Sequence, residues 1–378
     1  MAAMVTVGVN LLWLVPGVVG GSEEYTLRLL GALDQLGVAD DLWLRLYGSS
    51  DLFEAHPHLA RQFETRVSPV GSRSKGVRIG AENSWLAAVS RNDDLVHHAG
   101  GVVPFVRSQT SVLTIHDLQP LEMPGNFSPL KRRWLGSMLP RSVRAARLVL
   151  CPSEFTAGTI TERLGVPPER VRVVRHGHEP TEPGVLDAGA DAALTARYGR
   201  YLLLPAIAYA HKRHVDAVAA LDRLRDRFGD LHLVCTGRPG PETPALERLI
   251  SELALTDRVH LLGRVPADEL DALYRSAAAL VFPSAYEGFG NPALEAMARG
   301  CPVVATTAGA LPEVVGDAGL LVPPGRPGAL AAAVARVLDE PGLAERLRAE
   351  GPARADRFSW LRAGRELATA YRDALEGR

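Results

Sequence analysis

The sequence predicts an α/β protein built from two doubly wound parallel-sheet domains. Three observations carry this. Short apolar runs end in loops of Gly, Asn or His, and each leads into a segment with apolar residues at helical spacing. Residues 4–14, 111–115, 201–204 and 280–282 are apolar almost throughout, as strands buried on both faces of a parallel sheet are. The strand-helix series breaks off at residues 180–193, an acidic stretch with Pro, Gly and Ala, and restarts at Tyr201. The expected division is residues 1–180, residues 181–356 and a closing segment, 357–378.

Composition narrows the class. A length of 378 residues suits two or three domains. Gly 36 and Pro 27 lie below the ~25–30% that marks disorder, so they read as turns. A net charge of −1 gives no signal for nucleic acid. Cys151, Cys235 and Cys301 are odd in number and each flanks an apolar run. They read as buried free thiols, which suits a reducing cytoplasm. Residues 5–19 are interrupted by Asn10, Pro16 and Gly17. That stretch is too short to span a bilayer and has no basic leader, so it reads as a first strand and its loop.

In the first series, the strand at 4–14 leads into Gly20, Gly21 and Ser22. Ser22 can cap a helix that opens with Glu23 and Glu24 and carries Tyr25, Leu29, Leu33 and Leu36 as its stripe. Strand, glycine loop and helix together let a phosphate approach the backbone, although a lone Gly-Gly is more often a tight turn. Residues 42–47 and the region around 66–69 read as strands. Residues 66–78 read as a basic, mobile loop rich in Gly and Ser. His97 and His98 end a strand, with no third ligand spaced to make a metal site. His116 and Asp117 stand at the carboxyl end of the strand 111–115, where ligands bind in open α/β sheets. A histidine there can orient a group, donate to an anion or shuttle a proton, or simply complete a turn. Residues 128–147 carry Lys131, Arg132, Arg133, Arg141, Arg144 and Arg147 without an acid, with Trp134 and Leu135 between them. They read as a helix pair that is either a solvated basic face or a contact for an anionic membrane or a lipid-linked acceptor.

In the second series, Lys212 and Arg213 follow the strand at 201–204. Strands at 231–235 and 259–262 end at Gly237 and at Gly263, Arg264 and Val265. The most informative stretch is 281–305. A strand ends at Phe282, and a tight turn carries Glu287, Gly288, Phe289 and Gly290. Asn291 then serves as N-cap, with Pro292 at the first helical position and Leu294 and Glu295 in the first turns. Two carboxylates thus flank a helix N-terminus. The terminus attracts an anion, and the carboxylates accept hydrogen bonds from hydroxyls. An anion site with hydroxyl acceptors beside it suits a nucleotide sugar.

The run Pro-Ser-Ala-Tyr-Glu287-Gly-Phe-Gly-Asn-Pro-Ala-Leu-Glu295-Ala-Met-Ala-Arg-Gly-Cys-Pro-Val-Val resembles the donor-binding signature of the family 4 retaining glycosyltransferases over about twenty nearly continuous positions. The resemblance implies the GT-B fold, two Rossmann-like domains facing a cleft with a final helix returning to the first. It implies metal-independent transfer of a hexose, mannose in the bacterial polysaccharide and glycolipid members, from a GDP- or UDP-linked donor. Glu287 would face the sugar, Glu295 the ribose, and Lys212, with Gly20 and Gly21, the diphosphate. His116 would contact the sugar or the reacting hydroxyl, and the main chain at 263–265 would hold the base. This chain has Pro205, Ala206 and Ile207 where many members have Gly, which leaves the phosphate clamp to Lys212 with or without Arg213. No cofactor or metal is implied, and a glycan or lipid-linked acceptor is. The implied location is the cytoplasm, including the inner face of the membrane.

Three other readings are weaker. Gly288-x-Gly290-x-x-Ala293 fits a dinucleotide fingerprint but lacks the acid about twenty residues on. A nucleotide-sugar epimerase of the same architecture and a degenerate nucleotide-sugar-binding subunit remain as alternatives. The presence of Glu287, Glu295, Lys212 and His116 argues against degeneracy.

Overall fold

The computed structural model describes residues 4–18, 20–37, 41–107, 109–178, 193–194 and 196–377. The expected boundary stretch at 180–193 therefore lies almost wholly outside the described residues. The chain forms two compact units, Met1–Gly177 with Trp360–Arg378, and His178–Ser359.

The first unit holds seven strands: β1 (Val5–Asn10), β2 (Leu42–Gly48), β3 (Glu64–Val67), β4 (Leu95–His98), β5 (Thr110–Thr114), β6 (Leu148–Cys151) and β7 (Val171–Val173). They lie in the order β3-β2-β1-β4-β5-β6-β7, and the pairings are all parallel. The order reverses between β1 and β4, where Asn10 stands in register with His98. That switch point is where an open α/β sheet forms a crevice at its carboxyl edge.

The second unit repeats the plan with six parallel strands: β8 (Arg200–Pro205), β9 (Leu231–Thr236), β10 (Val259–Gly263), β11 (Ala279–Phe282), β12 (Val303–Thr306) and β13 (Leu320–Val322). Their order is β10-β9-β8-β11-β12-β13. The switch point lies between β8 and β11, so the loops after Pro205 and after Phe282 are neighbours. Two apolar clusters cover the faces of this sheet. One is built around Leu221, Leu233 and Val334, the other around Leu280, Leu294 and Val303.

The last helix, Trp360–Glu376, belongs to the first unit and packs on the helix Gly21–Gln35. Close approach is possible because the contact is made of small residues. A Cβ at Gly364 would stand 3.0 Å from Leu36 Cδ1 and 3.1 Å from Ala32 Cβ. Leu367 and Tyr371 are buried in the contact, and the Tyr371 hydroxyl lies 2.8 Å from His97 Nδ1. His97 Nε2 lies 2.7 Å from Thr114 Oγ1. The paired histidines are therefore core groups: His97 is satisfied by two hydroxyls, and His98 Nδ1 faces Asn10. Cys151, Cys235 and Cys301 are buried.

Several local expectations need correction. The first helix starts at Gly21, with Gly20 as its cap at φ 76 and no side-chain cap bond, so Ser22 is inside the helix. A positive φ is open to Gly and strained for Ser, which puts the cap on the glycine. Residues 66–78 are not one loop, because Lys75–Ala81 is a helix that runs into a wider turn at Glu82–Leu86. Residues 128–147 form a single helix, Pro129–Ala145, whose Pro140 does not divide it. Asn291 lies inside its helix, which Gly290 caps at φ 112. No helix among the described residues is long and apolar enough to cross a membrane.

Leu367→Ala is expected to destabilise the first unit by about 2–5 kcal/mol, the cost of a core cavity. Arg372→Ala removes the surface pair with Asp41 (2.6 and 2.8 Å) and is expected to cost under about 1 kcal/mol. Urea unfolding of the two variants checks the difference.

Candidate active site

The second unit brings Lys212 and Glu287 together. After β8 the chain makes a short 3-10 turn at Ala210–Lys212, and Arg213 takes a left-handed φ of 50 before the helix His214–Leu224. Two contacts fix this turn. His214 Nε2 lies 3.0 Å from Ala206 O, and Ala285 N–H donates to His211 O at 2.7 Å. The second bond ties the loop after β8 to the loop after β11. Lys212 Nζ then reaches Glu287 Oε1 at 2.7 Å, 5.1 Å above the Phe282 ring. Both side chains are largely shielded, with exposures of 19% and 10%. The phosphate candidate and the sugar candidate thus pair with one another.

Arg213 is engaged differently. Its guanidinium makes a two-pronged pair with Asp216, with Nη2 to Oδ1 at 2.9 Å. Its charge is committed within the helix start, which leaves Lys212 as the cation facing Glu287.

Glu287 is set by a glycine that sequence reading did not single out. A Cβ at Gly309 would stand 2.1 Å from Glu287 O and 2.8 Å from its N, and Gly309 has φ +60. Ala310 N–H donates to the same carbonyl at 3.0 Å. The loop after β12 therefore closes directly on the backbone of Glu287. Gly290 is similarly confined, since a Cβ there would meet Leu311 Cδ2 at 2.6 Å.

The helix Asn291–Ala298 offers fewer free donors than the sequence suggests. Pro292 has no N–H, and those of Ala293 and Leu294 return to Gly290 O. The first turn thus presents the Asn291 amide, and the buried Oδ1 of Asn291 has no hydrogen-bond partner. Leu294 is core. Glu295 Oε2 accepts from the Tyr274 hydroxyl at 2.7 Å, a positioning contact with no sequence signal because Tyr274 lies on another helix. Gly263 O accepts from Gly237 N–H at 2.8 Å, so that carbonyl is taken, and Val265 packs on the core. Gly237 and Gly240 let the backbone approach Ala206 and Ala208, where a Cβ would meet carbonyl carbons at 2.8 Å in each case. The departure from Gly at 205–207 is thus met by glycines on the facing loop.

In the first unit, Glu23 accepts the Gly17 N–H at 2.9 Å and pairs with His56 at 3.1 Å. It organises the glycine loop, while Gly20 has no atom within 4 Å of a would-be Cβ. His116 lines a cavity of about 600 Å³ together with Ser22, Trp13, Lys75, Arg78 and Lys131. His116 Nε2 lies 3.0 Å from Ala99 O, an acceptor only, so Nε2 carries the proton. Nδ1 is then an acceptor, and it is buried without a partner. Burial lowers the His116 pKa to about 4, so the ring is neutral near pH 7. Asp117 Oδ1 accepts the Gln119 N–H at 2.9 Å and shapes the turn. Of the basic run at 128–147, Arg141 is used internally, donating to Val103 O and Pro104 O.

Comparison with known proteins gives consistent results. Residues 19–182 match the model "Glycosyltransferase Family 4", and residues 200–340 match "Glycosyl transferases group 1". The chain is similar to O-antigen chain mannosyltransferase B of Escherichia coli, 27% identical over 93% of this chain and 96% of that protein. It is 34% identical to a D-inositol 3-phosphate glycosyltransferase of Streptomyces bingchenggensis, over 79% of this chain and 70% of that one. In fold it is similar to Anabaena Alr3699/HepE solved with UDP and glucose, with a TM-score of 0.76, 19% identity, and 98% and 100% of the two chains covered.

The histidines predict an acid response. Burial lowers the pKa of His97 and His98 to about 3 and of His211 and His214, like His116, to about 4. The unfolded chain binds protons near pH 6.5 that the folded chain refuses, so stability is full above that value. It is lost progressively as pH falls from about 6.5 toward 4. Melting temperatures should be flat from pH 7 to 8 and fall steadily below pH 6.5. An unchanged value at pH 5 would contradict neutral buried histidines.

Proposed function

The chain belongs to glycosyltransferase family 4 and is a glycosyltransferase of GT-B architecture, and from that premise we propose that it transfers a hexose, with retention and without a metal ion, from a nucleoside diphosphate sugar to a hydroxyl. The observation that carries the proposal is the Lys212–Glu287 pair at the carboxyl edges of β8 and β11. A nucleotide sugar brings a partner for each member. Its diphosphate takes the Lys212 ammonium, helped by the Asn291 amide at the helix N-terminus. Its sugar hydroxyls donate to Glu287. The freed carboxylate also favours the positive charge that develops on the sugar ring as the leaving group departs. Glu295, steadied by Tyr274, is free to accept from the ribose hydroxyls. The main chain of Gly263, Arg264 and Val265 is assigned to the base.

In this reaction the bond from the anomeric carbon to the phosphate oxygen breaks, and its electron pair leaves on the diphosphate. The acceptor oxygen forms the new bond on the same face. Its proton passes to the departing phosphate oxygen, so the products are the glycoside and a nucleoside diphosphate. His116, neutral and with Nδ1 as acceptor, takes a hydrogen bond from a hydroxyl and orients it. The cation needed by the diphosphate is Lys212, which is the basis for proposing no metal.

Mannose is the first hexose to test, because the Escherichia coli relative is a mannosyltransferase, and GDP- and UDP-linked donors are the first nucleotides. A glycan or lipid-linked acceptor follows from the same relative. Action in the cytoplasm at the inner face of the membrane is part of this reading. It is supported by Leu130, 82% exposed beside Lys131, Arg132 and Arg133.

Glu287→Gln is expected to lower turnover by about 10²–10³-fold, the scale of losing a transition-state electrostatic partner, with a small loss of nucleotide binding. Measured donor consumption at the wild-type rate would sink the assignment. Turnover in excess EDTA should equal that in added Mg²⁺, and abolition by the chelator would refute metal independence.

A further inference from the structure

The first unit's cavity is lined by three cations, Lys75, Arg78 and Lys131, and two carboxylates, Glu82 and Asp117. Lys75 and Arg78 lie three residues apart on one helix, so they share a face. Lys131 joins them from the helix Pro129–Ala145. None of the three lies within ion-pair distance of a carboxylate among the described residues. Their mutual repulsion is visible at Lys75, whose pKa is lowered first by burial and then by Arg78 and Lys131. Aromatic rings hold two of the heads in place. Lys75 Nζ sits 3.7 Å from the Trp134 centroid and Lys131 Nζ sits 4.8 Å from that of Phe127.

A second observation is independent of charge. Arg78, Trp13 and His116 are among the residues that line this cavity, and Arg78 Nε, Trp13 Nε1 and His116 Nδ1 are buried without a hydrogen-bond partner. Buried polar atoms are nearly always satisfied, so two donors and one acceptor left unpartnered around one cavity point to a polar ligand. Arg78 is aimed by a weak bond from Nη1 to Trp13 O at 3.3 Å. One turn on from Arg78, Glu82 accepts from Asn10 Nδ2 at 3.3 Å and has its second oxygen for a hydroxyl. The volume, about 600 Å³, suits a monosaccharide or cyclitol with one substituent.

We infer that this cavity is the acceptor subsite and that it selects an acceptor carrying a phosphate group near the hydroxyl that receives the sugar. The inference rests on the glycosyltransferase reading above. Phosphate fits better than carboxylate, because a tetrahedral group presents three acceptor oxygens in different directions and can meet cations arriving from two helices, whereas a planar group presents two in one plane. The aromatic rings cover the ring face of the acceptor, and His116 and Glu82 take its hydroxyls.

The test is calorimetric titration of the full chain with hexose 6-phosphates, inositol monophosphates, their unphosphorylated parents and glucuronate, alongside vesicles of phosphatidylinositol phosphate. Phosphorylated compounds should bind at least about tenfold more tightly than their parents, the scale of charge-assisted bonds. Lys75→Gln, at an exposed position that does not threaten folding, and Arg78→Gln should each cut that preference by about threefold or more. Arg91→Gln, an exposed cation of the same unit outside the cavity, should leave it unchanged. Binding to the vesicles alone, lost in Lys75→Gln and kept in Arg91→Gln, would support the same subsite with a lipid-borne phosphate. Equal loss in both variants would mean surface attraction and would overturn the inference. So would a preference near one, or glucuronate binding as tightly as the phosphates. Failure of the wild type to consume any nucleotide sugar sinks the transferase reading. Donor consumption with no phosphate preference sinks this inference alone.

Discussion

The second unit is organised around one ion pair. Lys212 and Glu287 are 75 residues apart, and their heads meet at 2.7 Å. That contact requires β8 and β11 to be neighbours, which only the reversal of strand order provides. It also requires the loop after β8 to be tied to the loop after β11, through Ala285 N–H and His211 O. Finally, the backbone of Glu287 must be held from behind by a residue with no side chain, Gly309. Removing one partner of a shielded pair leaves an uncompensated charge, whereas replacing both at once does not. A ligand with an anionic group at one end and hydroxyls at the other makes that double replacement. The pair therefore sets what a ligand of this site has to supply, a partner for each of its two charges.

The same strand order serves different chemistry in the first unit. Its switch point holds Asn10 and His98 in register, with Glu82 bonded to Asn10. Here no lysine closes on the carboxylate. Arg78 lowers the Glu82 pKa, but burial outweighs it and the net shift is upward. Lys75 and Lys131 instead rest on aromatic rings, which shield them without neutralising them. Lys212 is thus paired with a carboxylate, and these two lysines are not.

Much of this was legible in the sequence, for identifiable reasons. Continuous apolar runs marked the buried parallel strands, and glycine, Asn291 and Pro292 marked the start of the helix at 291 to within one residue. Glu287 and Glu295 could be read together because both lie in one continuous turn and helix. Contacts between distant segments were not legible. Gly309 reads as one glycine among many until its Cβ position is placed against Glu287. Tyr274 carries no mark of its bond to Glu295. The helix at Lys75–Ala81 was missed because Gly76 and Gly80 disguise its periodicity. The basic run at 128–147 reads as a helix pair, although one helix spans it and absorbs Pro140.

Charge and protonation in the first unit's cavity bear on one another. His116 is held neutral by burial, with its one proton directed to Ala99 O. A protonated ring would add a positive charge beside Lys75, Arg78 and Lys131 and would lose the acceptor at Nδ1. The permanent cations therefore relieve the histidine of any part in attracting an anion. What remains for it is the task a neutral imidazole does best at this pH, accepting a hydrogen bond from a hydroxyl and fixing its direction. The same division holds in the second unit, where His211 and His214 are kept neutral beside Lys212 and secure the loop, while the lysine carries the charge. In both units burial holds these histidines neutral, and what they supply is geometry.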